Sequence, residues 1–175
     1  MQKQEIPERT RQQVEQKALE VLRLHGLNSI PVDPVELANR EGIKVHNAKF
    51  SDDALSGMIA KRGNDVTLLV NQSDAPFRKR FTIAHELGHH FLHLIGDGDY
   101  VDSTTDLFRT EFDEGTKDPS RRAEVEANQF AAALLMPEER VRSEFAKVSN
   151  SKAMARLFNV SEEAMGIRLV TLGIA

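Results

Sequence analysis

Apolar residues recur along this chain with a helical period in some stretches and alternate with polar residues in others, and the switch between the two periods predicts its elements. Residues 8 to 25 carry Val14, Ala18, Val21, Leu22 and Leu24 on one amphipathic helix that ends near Gly26. Pro34 to Glu41, entered through Asp33, reads as a second short helix. Leu55 to Ala60 and Val66 to Asn71 flank Lys61 to Asp65, a connection containing Gly63 and Asn64, which predicts a hairpin. Gly42 to Val45 adds a third strand.

Two longer helices follow. Asp74 is placed to cap a helix with Pro76 in its first turn, and no further Pro interrupts it before Gly96. At roughly 100° per residue, Phe77, Phe81, Ala84, Phe91 and Ile95 gather on one flank while Ile83, Leu87 and Leu94 gather on the other. A helix apolar on two sides belongs between layers. Gly88, which costs up to about 1 kcal/mol against Ala in mid-helix, implies that another backbone passes close by. Asp118-Pro119 opens the second helix and Pro137 closes it, with the small residues Ala131 and Ala132 on one face. The expected architecture is therefore α+β. N-terminal helices (8–41) precede a small three-stranded antiparallel sheet (43–71), packed beside a buried helix (75–95). A second long helix (119–136) and a C-terminal helical segment (138–175) complete one domain over residues 1–175.

The chemistry lies on the buried helix. His85-Glu86-Leu87-Gly88-His89 has the H-E-x-x-H spacing, which sets two imidazoles one turn apart with a carboxylate beside them. Two protein ligands are too few for a catalytic zinc site, which takes three and leaves a fourth position to water. His93 stands about 12 Å along the axis from His85 on a straight helix, too far to share the ion. Glu124, followed one turn later by Asn128, is the better third candidate; Glu126 competes but points about 200° away from it, towards solvent or towards a residue that supports the site.

Glu124-x-x-x-Asn128 resembles the Glu-x-x-x-Asp element of thermolysin-like zinc peptidases, the gluzincins, in which the Glu binds zinc and the Asp steadies a ligand imidazole. Here a neutral Asn stands in the second place. Arg80-Phe81-Thr82-Ile83-Ala84-His85-Glu86-Leu87-Gly88-His89, with Glu124-Val125-Glu126-Ala127-Asn128-Gln129-Phe130-Ala131-Ala132-Ala133-Leu134-Leu135-Met136-Pro137, resembles the ImmA/IrrE family of bacterial and phage metallopeptidases. Pro31 to Ala38, Gly42 to Val45 and Phe158 to Ser161 extend the resemblance over most of the chain. It implies a zincin-like, zinc-dependent endopeptidase that cleaves a helix-turn-helix (Xre-type) repressor, often encoded nearby, and so derepresses a phage, mobile-element or stress-response operon. The expected metal ligands are His85, His89 and Glu124 around Zn2+, with Glu86 as the catalytic base. His90, His93 and Tyr100 are the nearby candidates for stabilising the oxyanion. Two other classes of function stand beside this one: a catalytically silent, antitoxin-like regulator that only binds its partner, and a DNA-binding regulator.

Composition narrows the setting. The chain has no Cys, hence no thiolate metal site, and its polar start and lack of a long apolar run point to a cytoplasmic protein without a membrane segment. A net charge of −4 provides no global attraction to nucleic acid. Between the two long helices, Gly96 to Pro119 holds eight carboxylates against Arg109 and Lys117. It is long enough for a lid or a partly disordered loop, and its acidity would attract a basic partner, although a merely solvated charged loop is the commoner explanation of such a run. The tail reads as helix, turn, helix through Met154 to Asn159, Val160-Ser161 and Glu162 to Leu172. Glu162 and Glu163 put negative charge where a recognition helix would meet phosphate, so packing or partner docking explains it better than direct duplex recognition.

Overall fold

The computed structural model describes residues 8–52, 54–94, 98–102 and 117–175. Helix α1 (Arg11–Leu24) starts at a capping box in which Thr10 and Gln13 exchange side-chain-to-backbone hydrogen bonds. Helix α2 (Pro34–Arg40) is capped by Asp33, whose side chain accepts from the Val35 N–H, and has Pro34 in its first turn. Strands β1 (Lys44–Ala48), β2 (Gly57–Arg62) and β3 (Asp65–Asn71) follow. Next come helix α3 (Pro76–Leu92), strand β4 (Gly98–Asp102) and helix α4 (Pro119–Leu135), then α5 (Glu138–Val148), α6 (Ser151–Phe158) and α7 (Glu162–Thr171).

The α+β class is as the sequence predicts, and the sheet departs from the expected one in two ways. Strand β1 lies parallel to β3, so the sheet is mixed and not wholly antiparallel. The reason is the route of the chain: β2 comes between β1 and β3 in the sequence but hairpins antiparallel onto one edge of β3, which leaves β3's other edge to β1 running the same way. Strand β4 then pairs antiparallel with the free edge of β2, from Gly57 opposite Asp102 to Lys61 opposite Gly98, giving the order β1-β3-β2-β4. Part of the acidic segment expected to be a loop is thus a strand. The rest of it, residues 95–97 and 103–116, lies outside the described residues. The hairpin connection is also tighter than expected, because Arg62 and Asp65 pair and only Gly63 and Asn64 turn; Gly63, at φ +58°, supplies the positive φ that such a turn requires.

The elements stack in the order sheet, α3, α4, α1, since α3 packs on β2 and β3 and α4 packs on both α3 and α1. Burial follows from that order. Phe81 through His89 are all buried on α3, and Val125 through Leu135 are all buried on α4. Helix α1 covers the outer side with Val14, Ala18, Val21 and Leu22. The N-cap of α3 is Ala75 with no side-chain hydrogen bond; the expected cap, Asp74, instead approaches Arg78 at 3.3 Å. Asp118 does cap α4, accepting from the Ser120 N–H. Helix α7 is held from inside the core by Arg168, whose Nε donates to the Met136 carbonyl at 3.0 Å and whose guanidinium pairs with Glu15 on α1. No helix among the described residues is long and apolar enough to cross a membrane.

Candidate metal centre

Helix periodicity aims His85 and His89 from α3 in one direction, towards α4. What lets α4 come near enough is Gly88. A Cβ built there would lie 3.0 Å from both the Cα and the carbonyl oxygen of Ala127, so the two backbones touch where only glycine fits. Phe91 and Phe130 stack beside this crossing with centroids 5.7 Å apart.

Across it, the chain brings together three of its expected site residues. His85 Nε2 lies 3.0 Å from His89 Nε2 and 3.1 Å from Glu124 Oε2, while His89 Nε2 lies 3.2 Å from Glu124 Oε1. Tetrahedral zinc with ligand bonds of about 2.0–2.1 Å has ligand-to-ligand edges of roughly 3.3 Å, so the triangle has the size of such a site. One proton could satisfy one edge of it; a cation facing all three atoms satisfies the whole. Among the described residues this is the His, Cys, Asp and Glu group that could hold a metal ion. His85 and His89 are sealed from solvent, at 0% and 1% exposure, whereas the Glu124 side chain remains 23% exposed. The opening therefore lies on the Glu124 side.

Electrostatics prepare the same donors. Burial pushes His89 down to about 4, which outweighs the opposing hydrogen bond the protonated ring would donate to Glu124, so the ring is neutral and keeps a lone pair. Burial pushes the Glu124 carboxyl up, but the hydrogen bonds it accepts from the His85 and His89 rings when these carry a proton, and the charge they then bear, outweigh that and hold it well below the usual carboxylate range. The Nδ1–H of His85 donates to Asn128 Oδ1 at 2.7 Å, which leaves the Nε2 lone pair facing the triangle. Asn128 thus stands where the sequence placed it.

Glu86 is fully buried next to His85. Its Oε1 sits against β2, 3.1 Å from the position a Cβ would take on Gly57, and the same Cβ would lie 2.5 Å from Thr82 Cγ2. Gly57 was missed in the sequence, although a glycine inside a strand pattern is the available signal for a close approach. Glu126, expected towards solvent or beside the site, is buried and bonds to His93 at 3.0 Å. His93 uses both ring nitrogens, on Glu126 and on His89, and His90 turns to Glu41 at 3.4 Å. Neither histidine is placed to meet an oxyanion, and the Tyr100 side chain lies outside the described structure. Strand β4 pairs with β2 beside Gly57, so β2 is an inner strand of the sheet and β4 its outer one.

Comparison with known proteins adds to this geometry. A family model described as the IrrE N-terminal-like domain matches residues 38–170. The radiation response metalloprotease IrrE of Deinococcus radiodurans is 32% identical over 109 residues, a match covering 55% of this chain and 31% of that protein. The chain thus spans about a third of the length of that curated relative.

Proposed function

Since the chain belongs to the IrrE N-terminal-like domain family, we propose that it is a zinc-dependent endopeptidase whose substrate is a helix-turn-helix (Xre-type) repressor, encoded nearby and met in the cytoplasm. Cleavage derepresses a phage, mobile-element or stress-response operon. The observation that carries the reading is the 3.0–3.2 Å triangle of His85, His89 and Glu124 next to the buried carboxylate of Glu86. Its two imidazoles and one carboxylate are the donor set of a zinc peptidase site with a position left open.

The metal, when bound, supplies a Lewis acid that polarises the scissile carbonyl and acidifies a water. The chain supplies the rest. Glu86, one residue beyond His85, takes the proton of the attacking water and returns it to the leaving amine. Gly57 on β2 lets that carboxylate approach the strand closely, so its position is set by a strand and a helix together. Asn128 holds the ring of His85 through its Nδ1–H.

The test is co-expression of the neighbouring repressor with the wild-type chain and with Glu86→Gln, followed by intact-mass analysis of the repressor. Glu86→Gln retains metal and partner but loses turnover by at least about a hundredfold. A repressor that stays whole with wild type, yet binds both forms equally, identifies a sequestering regulator instead. Metal analysis of His85→Ala, His89→Ala and Glu124→Ala checks the ligand set; full zinc retention in Glu124→Ala removes that residue from it.

A further inference from the structure

We propose that His93, Glu126 and Arg9 form a positioning chain that fixes the ring of His89, so that the segment ahead of α1 helps to set the affinity of the metal centre. The inference rests on the metal reading above and extends it to residues outside the ligand triangle.

Hydrogen-bond direction carries the argument. For His89 to present a lone pair at Nε2, its proton must sit on Nδ1, which lies 3.0 Å from His93 Nδ1. His93 must therefore accept at Nδ1 and carry its own proton on Nε2. That atom lies 3.0 Å from Glu126 Oε2 and donates to it. Glu126 in turn accepts the backbone N–H of Arg9 at Oε1, 3.0 Å away, and the Arg9 guanidinium at Oε2, 3.1 Å away. The two ring protons thus point the same way along the series, from His89 to His93 and from His93 to Glu126, and the Arg9 guanidinium meets that carboxylate.

The surroundings make the chain stiff. His93 and Glu126 are 3% and 2% exposed, so water does not compete for these bonds. His93 is the C-cap of α3 and its backbone N–H donates to the His89 carbonyl at 2.9 Å, tying the two residues a second time. Glu126 stands on α4 two residues beyond Glu124, and Arg9 immediately precedes the Thr10 cap of α1. Elements α3, α4 and α1 are therefore pinned to one another at the metal's back. The two ligand imidazoles are also supported unequally, since His85 leans on the neutral amide of Asn128 while His89 leans, through His93, on a carboxylate. Support of this kind orients a ligand ring and raises its basicity, and losing it typically weakens metal affinity about 10- to 100-fold.

The experiment measures Zn2+ affinity by chelator competition, and the visible spectrum of the Co2+ form, for the full chain and four variants. His93→Phe keeps ring volume but cannot accept or donate; it should weaken Zn2+ at least about tenfold and shift the Co2+ spectrum. His93→Gln can accept from His89 and donate to Glu126, and should recover most of the loss. Glu126→Gln should weaken Zn2+ similarly, and Arg9→Ala by a smaller factor, because the backbone N–H bond survives. Arg9 is partly exposed, so that variant reports even if a core variant fails to fold. Coupling is reciprocal, so Zn2+ should slow hydrogen exchange at the Arg9 amide in wild type and not in His93→Phe. A merely structural ion pair would instead lower the stability of the metal-free variants while leaving Zn2+ affinity within twofold and the spectrum unmoved; that result overturns the chain. A wild-type protein that binds no Zn2+ overturns the metal reading itself, and this inference with it.

Discussion

Gly88→Ala should separate two effects that usually travel together, helix propensity and helix approach. In an unobstructed helix, replacing Gly by Ala gains up to about 1 kcal/mol. At position 88 the new methyl would stand 3.0 Å from Ala127 Cα and 3.0 Å from its carbonyl oxygen, with Phe130 Cβ at 3.3 Å. Ordinary carbon contacts lie at about 3.5–4.0 Å, so α4 must withdraw by roughly 0.5 Å or more, and its backbone cannot rotate out of the way as a side chain could. Overpacking of this kind costs about 1–3 kcal/mol, which exceeds the propensity gain and leaves a net loss of up to about 2 kcal/mol. For a chain of this size that lowers the Tm of the metal-free protein by up to about 8 °C. The metal should suffer more. Glu124 rides on α4 while both histidines ride on α3, so the 3.1 and 3.2 Å edges of the triangle open as the helices part. Metal sites tolerate about 0.2 Å of error in ligand distance, and the withdrawal exceeds it. The assay is thermal denaturation with and without Zn2+, using Gly166→Ala on α7 as control, where an added Cβ meets nothing within 4 Å. Gly166→Ala should raise the Tm slightly and leave the zinc-induced shift unchanged. A Gly88→Ala protein that behaves like that control would refute the close approach as the device that assembles the site.

Gly57→Ala should disturb the base and spare the ligands, since its Cβ would lie 2.5 Å from Thr82 Cγ2 and 3.1 Å from Glu86 Oε1; metal analysis should find zinc retained while repressor cleavage falls, and unchanged cleavage would count against the packing of Glu86 on β2. The metal-free protein should lose stability in mild acid. His89 is lowered from 6.5 to about 4 by burial, so between those values the unfolded chain binds a proton that the folded chain does not, and stability is complete above about pH 6.5 and declines towards pH 4. The loss amounts to about 3 kcal/mol at most, and lowered Glu124 continues the decline below its ordinary value of 4.5. Denaturant titrations from pH 7 to 4 check this, and His89→Gln should flatten the first part of the curve. Arg168→Ala should cost about 3 kcal/mol in denaturant unfolding, because it strands Glu15 and the Met136 carbonyl at the junction of α1, α4 and α7.

The features legible from spacing alone are those that local geometry dictates. The i, i+4 spacing of His85 and His89 puts two imidazoles on one side of any helix that contains them, and Glu124 and Asn128 share a face of theirs for the same reason. Asp33-Pro34 and Asp118-Pro119 start helices because a short acceptor and a residue without an N–H suit the first turn wherever it occurs. Gly88 implied a close neighbour, though the pattern could not say that the neighbour is the backbone of Ala127. Tertiary structure decided the rest, where the partners are distant in the chain and their meeting depends on how layers stack. A rotation of about 200° separates Glu124 from Glu126 on one helix, and the sequence could not fill the second direction. The fold fills it with His93 from α3 and Arg9 from 117 residues upstream. Strand β1 runs parallel and β4 pairs with β2 through backbone hydrogen bonds between distant segments, and strand preference depends on such context, so an acidic stretch with a loop-like composition can still complete a sheet. Residue spacing thus defined each helix's own set of donors, and the stacking of sheet, α3, α4 and α1 determined which of them converge.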